Sequence, residues 1–167
     1  MVTALNVQDR IRLIANRARQ TVLVRQAFSA ETQASKQDLF NVVRDLGTYP
    51  DWLDVVDSAE PVPDDPDAWL VTLKARVGPF ARSKRLRMVR IKSEDSSARF
   101  VRRELDGKEH SSWNLAATVL DPETESAASA VELVLEYDGA MWSGLLDGVL
   151  EAAAKRATAK LQDYVRP

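Results

Sequence analysis

Residues 131–164 read VELVLEYDGAMWSGLLDGVLEAAAKRATAKLQDY, and the spacing of apolar residues changes inside that stretch. Val131, Leu133, Leu135 and Tyr137 recur at every second position, the period of a strand with one buried face. From about Met141 the period becomes helical, and Leu145, Leu146, Val149, Ala153, Ala157, Leu161 and Tyr164 form one long stripe. Ala152, Ala153, Ala154, Ala157 and Ala159 favour helix and allow close approach to a sheet. Gly144 and Gly148 leave room near its start. A half-apolar strand and a helix with this stripe each need a cover, and each can cover the other.

Reading upstream, Ser111 to Leu120 alternates in the same way, with Trp113, Leu115, Ala117 and Val119 on one face. Asp106-Gly107 is a hairpin signal that separates it from a strand over Arg99 to Leu105. A further strand spans Arg82 to Lys92, Gly78-Pro79 marks a turn, and Trp69 to Val77 alternates with Trp69, Val71, Leu73, Ala75 and Val77 on one side. Pro61, Pro63, Asp64, Asp65, Pro66 and Asp67 read as a turn-rich link, too proline-dense for a central strand. Before it, Tyr49-Pro50-Asp51-Trp52-Leu53 reads as a short helical turn whose entry Pro50 fixes, with Tyr49, Trp52, Leu53 and Val56 as an apolar cluster. Ser35 is a candidate N-cap, with Asp38 in the first turn, for a helix carrying Leu39, Phe40, Val42, Val43 and Leu46 and ending at Gly47 as a C′ glycine. Thr21 to Phe28 reads as the first strand. Residues 5–19 read as an amphipathic helix, with Val7, Ile11, Ile14 and Ala18 on one face and Arg10, Arg12, Arg17 and Arg19 elsewhere.

The order is therefore helix, strand, helix, short helix, five or six antiparallel strands and a long helix: an α+β chain divided into an N-terminal helix (1–20) and one domain (21–167). A curved antiparallel sheet that grips one helix leaves a cavity between them, the usual place for a ligand.

Composition excludes several function classes. The absence of cysteine removes disulfides, thiolate metal sites and cysteine nucleophiles, and the single His110 removes multi-histidine metal sites. No Walker-type or dinucleotide glycine motif is present, and no cofactor is expected. Asp64, Asp65 and Asp67 lack the glycine and terminal glutamate of a calcium loop. With no apolar run of membrane-spanning length and no signal-peptide core, the expectation is a cytoplasmic protein.

The net charge of −2 conceals segregation: residues 45–73 carry eight acids and no base, and residues 74–103 carry eleven bases against two acids. Pairing between neighbouring strands accounts for this pattern. The alternative is a docking surface for an acidic protein partner. Exposed aromatics among the bases are missing and the pI is about 5.5, so nucleic acid is not expected, and neither is membrane association. The run Arg82-Ser83-Lys84-Arg85-Leu86-Arg87-Met88-Val89-Arg90 places bases on both faces, so most of them are expected in solvent.

Tyr49-Pro50-Asp51-Trp52 straight after the first domain helix resembles the Tyr/Phe-Pro-x-Trp corner of the START-like (SRPBCC) superfamily, and Val77-Gly78-Pro79-Phe80 resembles its glycine-centred strand turn. Within that superfamily the chain is most similar to the polyketide cyclase/dehydrase-like and carbon-monoxide dehydrogenase-subunit-like families, over roughly residues 21–165. The resemblance implies a helix-grip fold like that of START and Bet v 1 proteins, with a deep cavity for a hydrophobic or lipid-like molecule. By position the lining is Trp69, Val71, Leu73, Trp113, Leu115, Leu133, Leu135, Tyr137, Leu145, Val149 and Ala153, with Tyr137 and Arg102 as orienting polar groups.

Candidates for catalysis are few: Arg102, Glu104 and His110. His110 lies beside the Asp106-Gly107 turn and reads as an exposed loop residue. Arg102 and Glu104 share a strand face with Phe100, which would bring an Arg–Glu pair into the cavity, able to orient a carboxylate or enolate. The opposite phase buries Val101 and Leu105 instead, and two apolar residues against one favour it. The leading expectation is a non-catalytic carrier or sensor, the second a polyketide cyclase or dehydratase, the third an accessory protein docking an acidic partner or a membrane.

Overall fold

A computed structural model describes residues 24–77, 79–139 and 143–166. The helix read over 5–19 and the start of the first strand at 21–23 lie outside the described residues. Strand β1 (Val24–Thr32) leads into helix α1 (Lys36–Val43), a 3-10 turn (Leu46–Thr48) and the single-turn helix α2 (Tyr49–Trp52). Six strands follow: β2 (Val56–Val62), β3 (Asp65–Val77), β4 (Phe80–Glu94), β5 (Ser97–Arg102), β6 (Trp113–Leu120) and β7 (Ser129–Tyr137). Helix α3 (Ser143–Tyr164) closes the chain. All seven strands form one antiparallel sheet in the order β1-β7-β6-β5-β4-β3-β2. Helix α3 packs on β1, β3 and α2, so one face of the sheet is gripped against it.

Local chemistry sets the elements. The Ser35 hydroxyl accepts from the Asp38 N–H at 3.1 Å and caps α1. Ser35→Ala is expected to lower stability by about 1 kcal/mol, read as a shift in the urea midpoint at unchanged slope. Leu39, Phe40 and Val43 bury the inner face of α1. Gly47 is not a C′ glycine as its position suggested. Helix α1 is capped at Arg44, and Gly47 sits inside the 3-10 turn, where its N–H donates to Asp45 Oδ1 at 2.8 Å. In α2, Tyr49 and Trp52 are buried with ring centroids 4.4 Å apart, and the Tyr49 hydroxyl donates to the Val43 carbonyl at 2.8 Å.

The proline-rich segment is not a link. Pro61 lies in β2, Asp65 to Asp67 begin β3, and Val62 pairs with Asp65 across Pro63-Asp64. Pro61 is tolerated because β2 is an edge strand, where a missing N–H can face away from the ladder, and Pro66 stands at the second residue of β3, beside the turn. On the stripe of α3, Ala153, Ala157 and Leu161 are buried, but Tyr164 is 43% exposed. Val165, which continues the spacing of four, packs on the core in its place.

Charge segregation along the chain is resolved across the sheet. Lys74 pairs with Asp57, Arg85 with Glu60, Arg87 with Asp65 and Arg90 with Asp67. Arg87 and Arg90 are not solvated as their run suggested: their side chains are only 12% and 16% exposed. A carboxylate on β3 meets each one, and Arg90 also lies over the Trp69 ring.

Asp54, in the α2–β2 corner, accepts from Arg156 Nε at 2.7 Å and from Lys160, tying α3 to the sheet side. The Lys160 and Arg156 hydrogen bonds hold its carboxyl below the ordinary 3.8. A depressed carboxyl pKa gives stability that is present above the unfolded value and lost as pH falls through the folded one. Asp54→Asn is therefore expected to be less stable than the parent at neutral pH. Urea unfolding in increasingly acid buffer should show that gap closing.

Candidate ligand groove and its polar end

The strand register fixes which side chains face α3. Tyr137 pairs with Trp113, Leu135 with Leu115, Leu133 with Ala117 and Val131 with Val119, and β1 adds Phe28 opposite Leu133. On the other half, Trp69, Val71 and Leu73 of β3 pair with Met88, Leu86 and Lys84 of β4. Seven of the residues expected in the lining stand buried on this face or on α3: Trp69, Val71, Leu73, Trp113, Leu133, Tyr137 and Ala153. Leu115, Leu135 and Val149 are also there, but only half-buried, as is Phe28. The Leu145 side chain lies outside the described residues. Gly148 is exposed, and a methyl group on it would meet no atom within 4 Å; the surroundings of Gly144 lie outside the description.

This pattern is informative because Leu115 and Leu135 are in the middle of the sheet under a helix, where complete burial is the norm. The next residues along the same face, Ala117 and Leu133, are buried. Solvent therefore reaches the face between sheet and helix at the Leu115–Leu135 row.

The next row toward the strand ends is polar. Arg102 pairs with Met88 on β4 and shares its face with Phe100. The phase favoured by counting apolar residues is wrong: Phe100 is fully buried, Leu105 is 83% exposed, and the Arg102 side chain is 8% exposed. Phe100 wins because it meets the Trp69 ring edge-on at 5.8 Å and pairs with Leu115. The charge it brings inward is matched, Arg102 Nε donating to Glu104 Oε1 at 2.6 Å and Nη1 to the Ser111 carbonyl at 3.2 Å. Strand β5 consequently ends at Arg102, short of the expected Leu105. Asp106-Gly107 is not a two-residue hairpin but part of a loop over 103–112, with Gly107 at φ 70°.

Lys84 completes the group. Its Nζ is 3.3 Å from Ser111 Oγ and 5.6 Å from the centroids of both the Trp113 and Tyr137 rings. Burial and the Arg102 charge pull its pKa down, with Glu104 opposing. Burial pushes the Tyr137 phenol up, against a hydrogen bond with Ser111. Gly139 sets the place of that phenol: a Cβ there would lie 1.6 Å from the Tyr137 hydroxyl oxygen. Trp113 Nε1 is buried and has no hydrogen-bond partner. Lys84 and Ser111 were not singled out from the sequence, although Lys84 stands two residues before Leu86 and four before Met88 on their face. His110 is not part of the group. It lies on the exposed loop, its Nε2 2.9 Å from Asp106 Oδ1. Among the described residues no group of His, Cys, Asp or Glu could hold a metal, and no helix is long and apolar enough to cross a membrane.

A seven-stranded sheet gripping a C-terminal helix, with an apolar row and a polar end between them, defines a START-like helix-grip protein. The chain belongs to the family of polyketide cyclase / dehydrase and lipid transport proteins, which it matches over residues 32–166. Solved structures share the fold. XoxI from Bacillus cereus is 13% identical, with a TM-score of 0.58 over 84% of this chain and 97% of that one. A START superfamily protein from Mycobacterium smegmatis is 16% identical, with a TM-score of 0.57 over 86% and 96%. The Zhui aromatase/cyclase from a Streptomyces species is 13% identical, with a TM-score of 0.56 over 86% and 93%. No curated protein matches the chain.

Proposed function

We propose that this protein holds an apolar or lipid-like small molecule between the sheet and α3, as a carrier or sensor. The observation that carries the reading is the half-buried state of Leu115, Leu135, Phe28 and Val149 on the face that a closed core would seal. An apolar guest on this surface gains about 25 cal/mol for each Å2 removed from water. Family membership supports a ligand-binding fold. The direct test is titration with Nile red, an uncharged fluorophore. Saturable one-to-one uptake with a blue-shifted emission is expected, and absence of uptake would overturn the proposal.

A second reading, a cyclase or dehydratase acting on a polyketide-like substrate, is favoured by the polar end. Burial lowers the Lys84 pKa and raises that of Tyr137, so the neutral amine and the neutral phenol are both favoured. Environments that displace two groups in opposite directions are a source of acid–base chemistry. It requires turnover of a poly-β-keto substrate that Tyr137→Phe and Glu104→Gln abolish. Full activity in both variants would exclude these residues from catalysis.

A further inference from the structure

Resting on the reading of the groove as a binding site, we propose that its polar end is a subsite for an anionic head, a carboxylate borne on the apolar ligand. Lys84 supplies the charge, and the Tyr137 hydroxyl and Trp113 Nε1 supply neutral donors. The protein would then select long-chain acids over the corresponding alcohols.

Four observations converge on this. First, Arg102 is already committed to Glu104 and the Ser111 carbonyl, so its charge is matched. Among the described residues Lys84 has no carboxylate in ion-pair contact: its hydrogen bond goes to the neutral Ser111 hydroxyl. The Lys84, Arg102 and Glu104 group thus carries one uncompensated positive charge in a partly desolvated place, where a lone ammonium is costly and a matched one is not. Asp138, the other acid that acts on Tyr137, is itself held by the Ser112 N–H.

Second, Trp113 is 3% exposed and its ring N–H is unpaired. Buried donors normally have an acceptor, and a ligand oxygen is the acceptor this one lacks. Third, the groups are neighbours, since Lys84 Nζ stands equally close to the Trp113 and Tyr137 ring centroids, which are 4.5 Å apart. Fourth, Tyr137 and Trp113 form the row beside Leu135 and Leu115. A molecule lying along the half-buried leucines would therefore present its end to these donors. A carboxylate fits the set better than a hydroxyl, because it accepts several hydrogen bonds and neutralises the ammonium.

The test uses the full chain loaded with Nile red and displaced at neutral pH by decanoate or by decanol, which have the same chain and differ in the head. For the parent, decanoate is expected to displace the dye at a concentration at least about tenfold lower than decanol. Lys84→Met keeps the apolar stem and removes the charge. It should bring the two ligands within about twofold of each other, each measured against that variant's own Nile red affinity. Lys84→Gln is the second variant, used if circular dichroism shows Lys84→Met to be unfolded. Equal displacement by acid and alcohol in the parent, or an acid preference that survives both variants, would overturn the anionic subsite and leave the groove standing. Failure of the parent to take up Nile red or either ligand would overturn both.

Discussion

Trp52→Ala is expected to lower the free energy of unfolding by about 3–5 kcal/mol, the usual range for removing a large core aromatic. Trp52 is fully buried and packs on Tyr49, whose hydroxyl is in turn bonded to the end of α1. The Trp52 ring N–H also lies 3.4 Å from Thr48 Oγ1. Alanine would remove the transfer energy of the indole, the ring contact and that polar contact together. It would leave a cavity at the corner where α1, α2 and β2 meet. Since a domain of this size holds about 5–15 kcal/mol in total, one change would remove a large fraction of its stability. Urea denaturation followed by tryptophan fluorescence checks it, with Trp69, Trp113 and Trp142 remaining as reporters. A loss below about 1 kcal/mol would mean that the corner is not part of the cooperative core.

Leu115→Arg is expected to reduce Nile red affinity by more than about a hundredfold, which corresponds to about 2.8 kcal/mol. Its side chain lies between Phe100 and Leu135 on neighbouring strands and is half-buried. An arginine there occupies the apolar row and places a guanidinium where the guest must lie, so the guest would desolvate a charge. Because solvent already reaches this position, the guanidinium can extend toward water, and the variant should remain folded. Leu133→Arg is a useful contrast, because Leu133 is only 5% exposed. A charge there would be sealed in, and loss of folding is expected. Unchanged dye affinity in Leu115→Arg would show that the guest does not lie on the β6–β7 face.

Much of the fold could be read without coordinates because its elements repeat a local rule. The alternation in β3, β6 and β7 names their inner faces, and the Ser35 cap and the Tyr49-Pro50-Asp51-Trp52 corner stand where the residues place them. Departures occur where a local rule meets a non-local partner. Gly47 follows a helical stripe, but the Asp45 carboxylate turns its N–H into a 3-10 turn. Pro61 reads as a strand breaker until β2 proves to be an edge. Leu105 is apolar and yet lies in solvent, because Phe100 has a better place against Trp69.

The sequence alone determined the order of strands and helices, the apolar stripe of α3 and the opposite charges of successive strands. These follow from residue spacing, and spacing is a property of a single segment. Tertiary structure alone decided that Arg102 turns inward with Glu104, that Lys84 comes to stand beside Trp113 and Tyr137, and that Leu115 and Leu135 stay open to solvent. The cost of burying a charge depends on which group lies opposite on another strand. The wetness of a leucine depends on how closely a distant helix approaches it. Both are distances between segments, and periodicity within one segment carries no record of them.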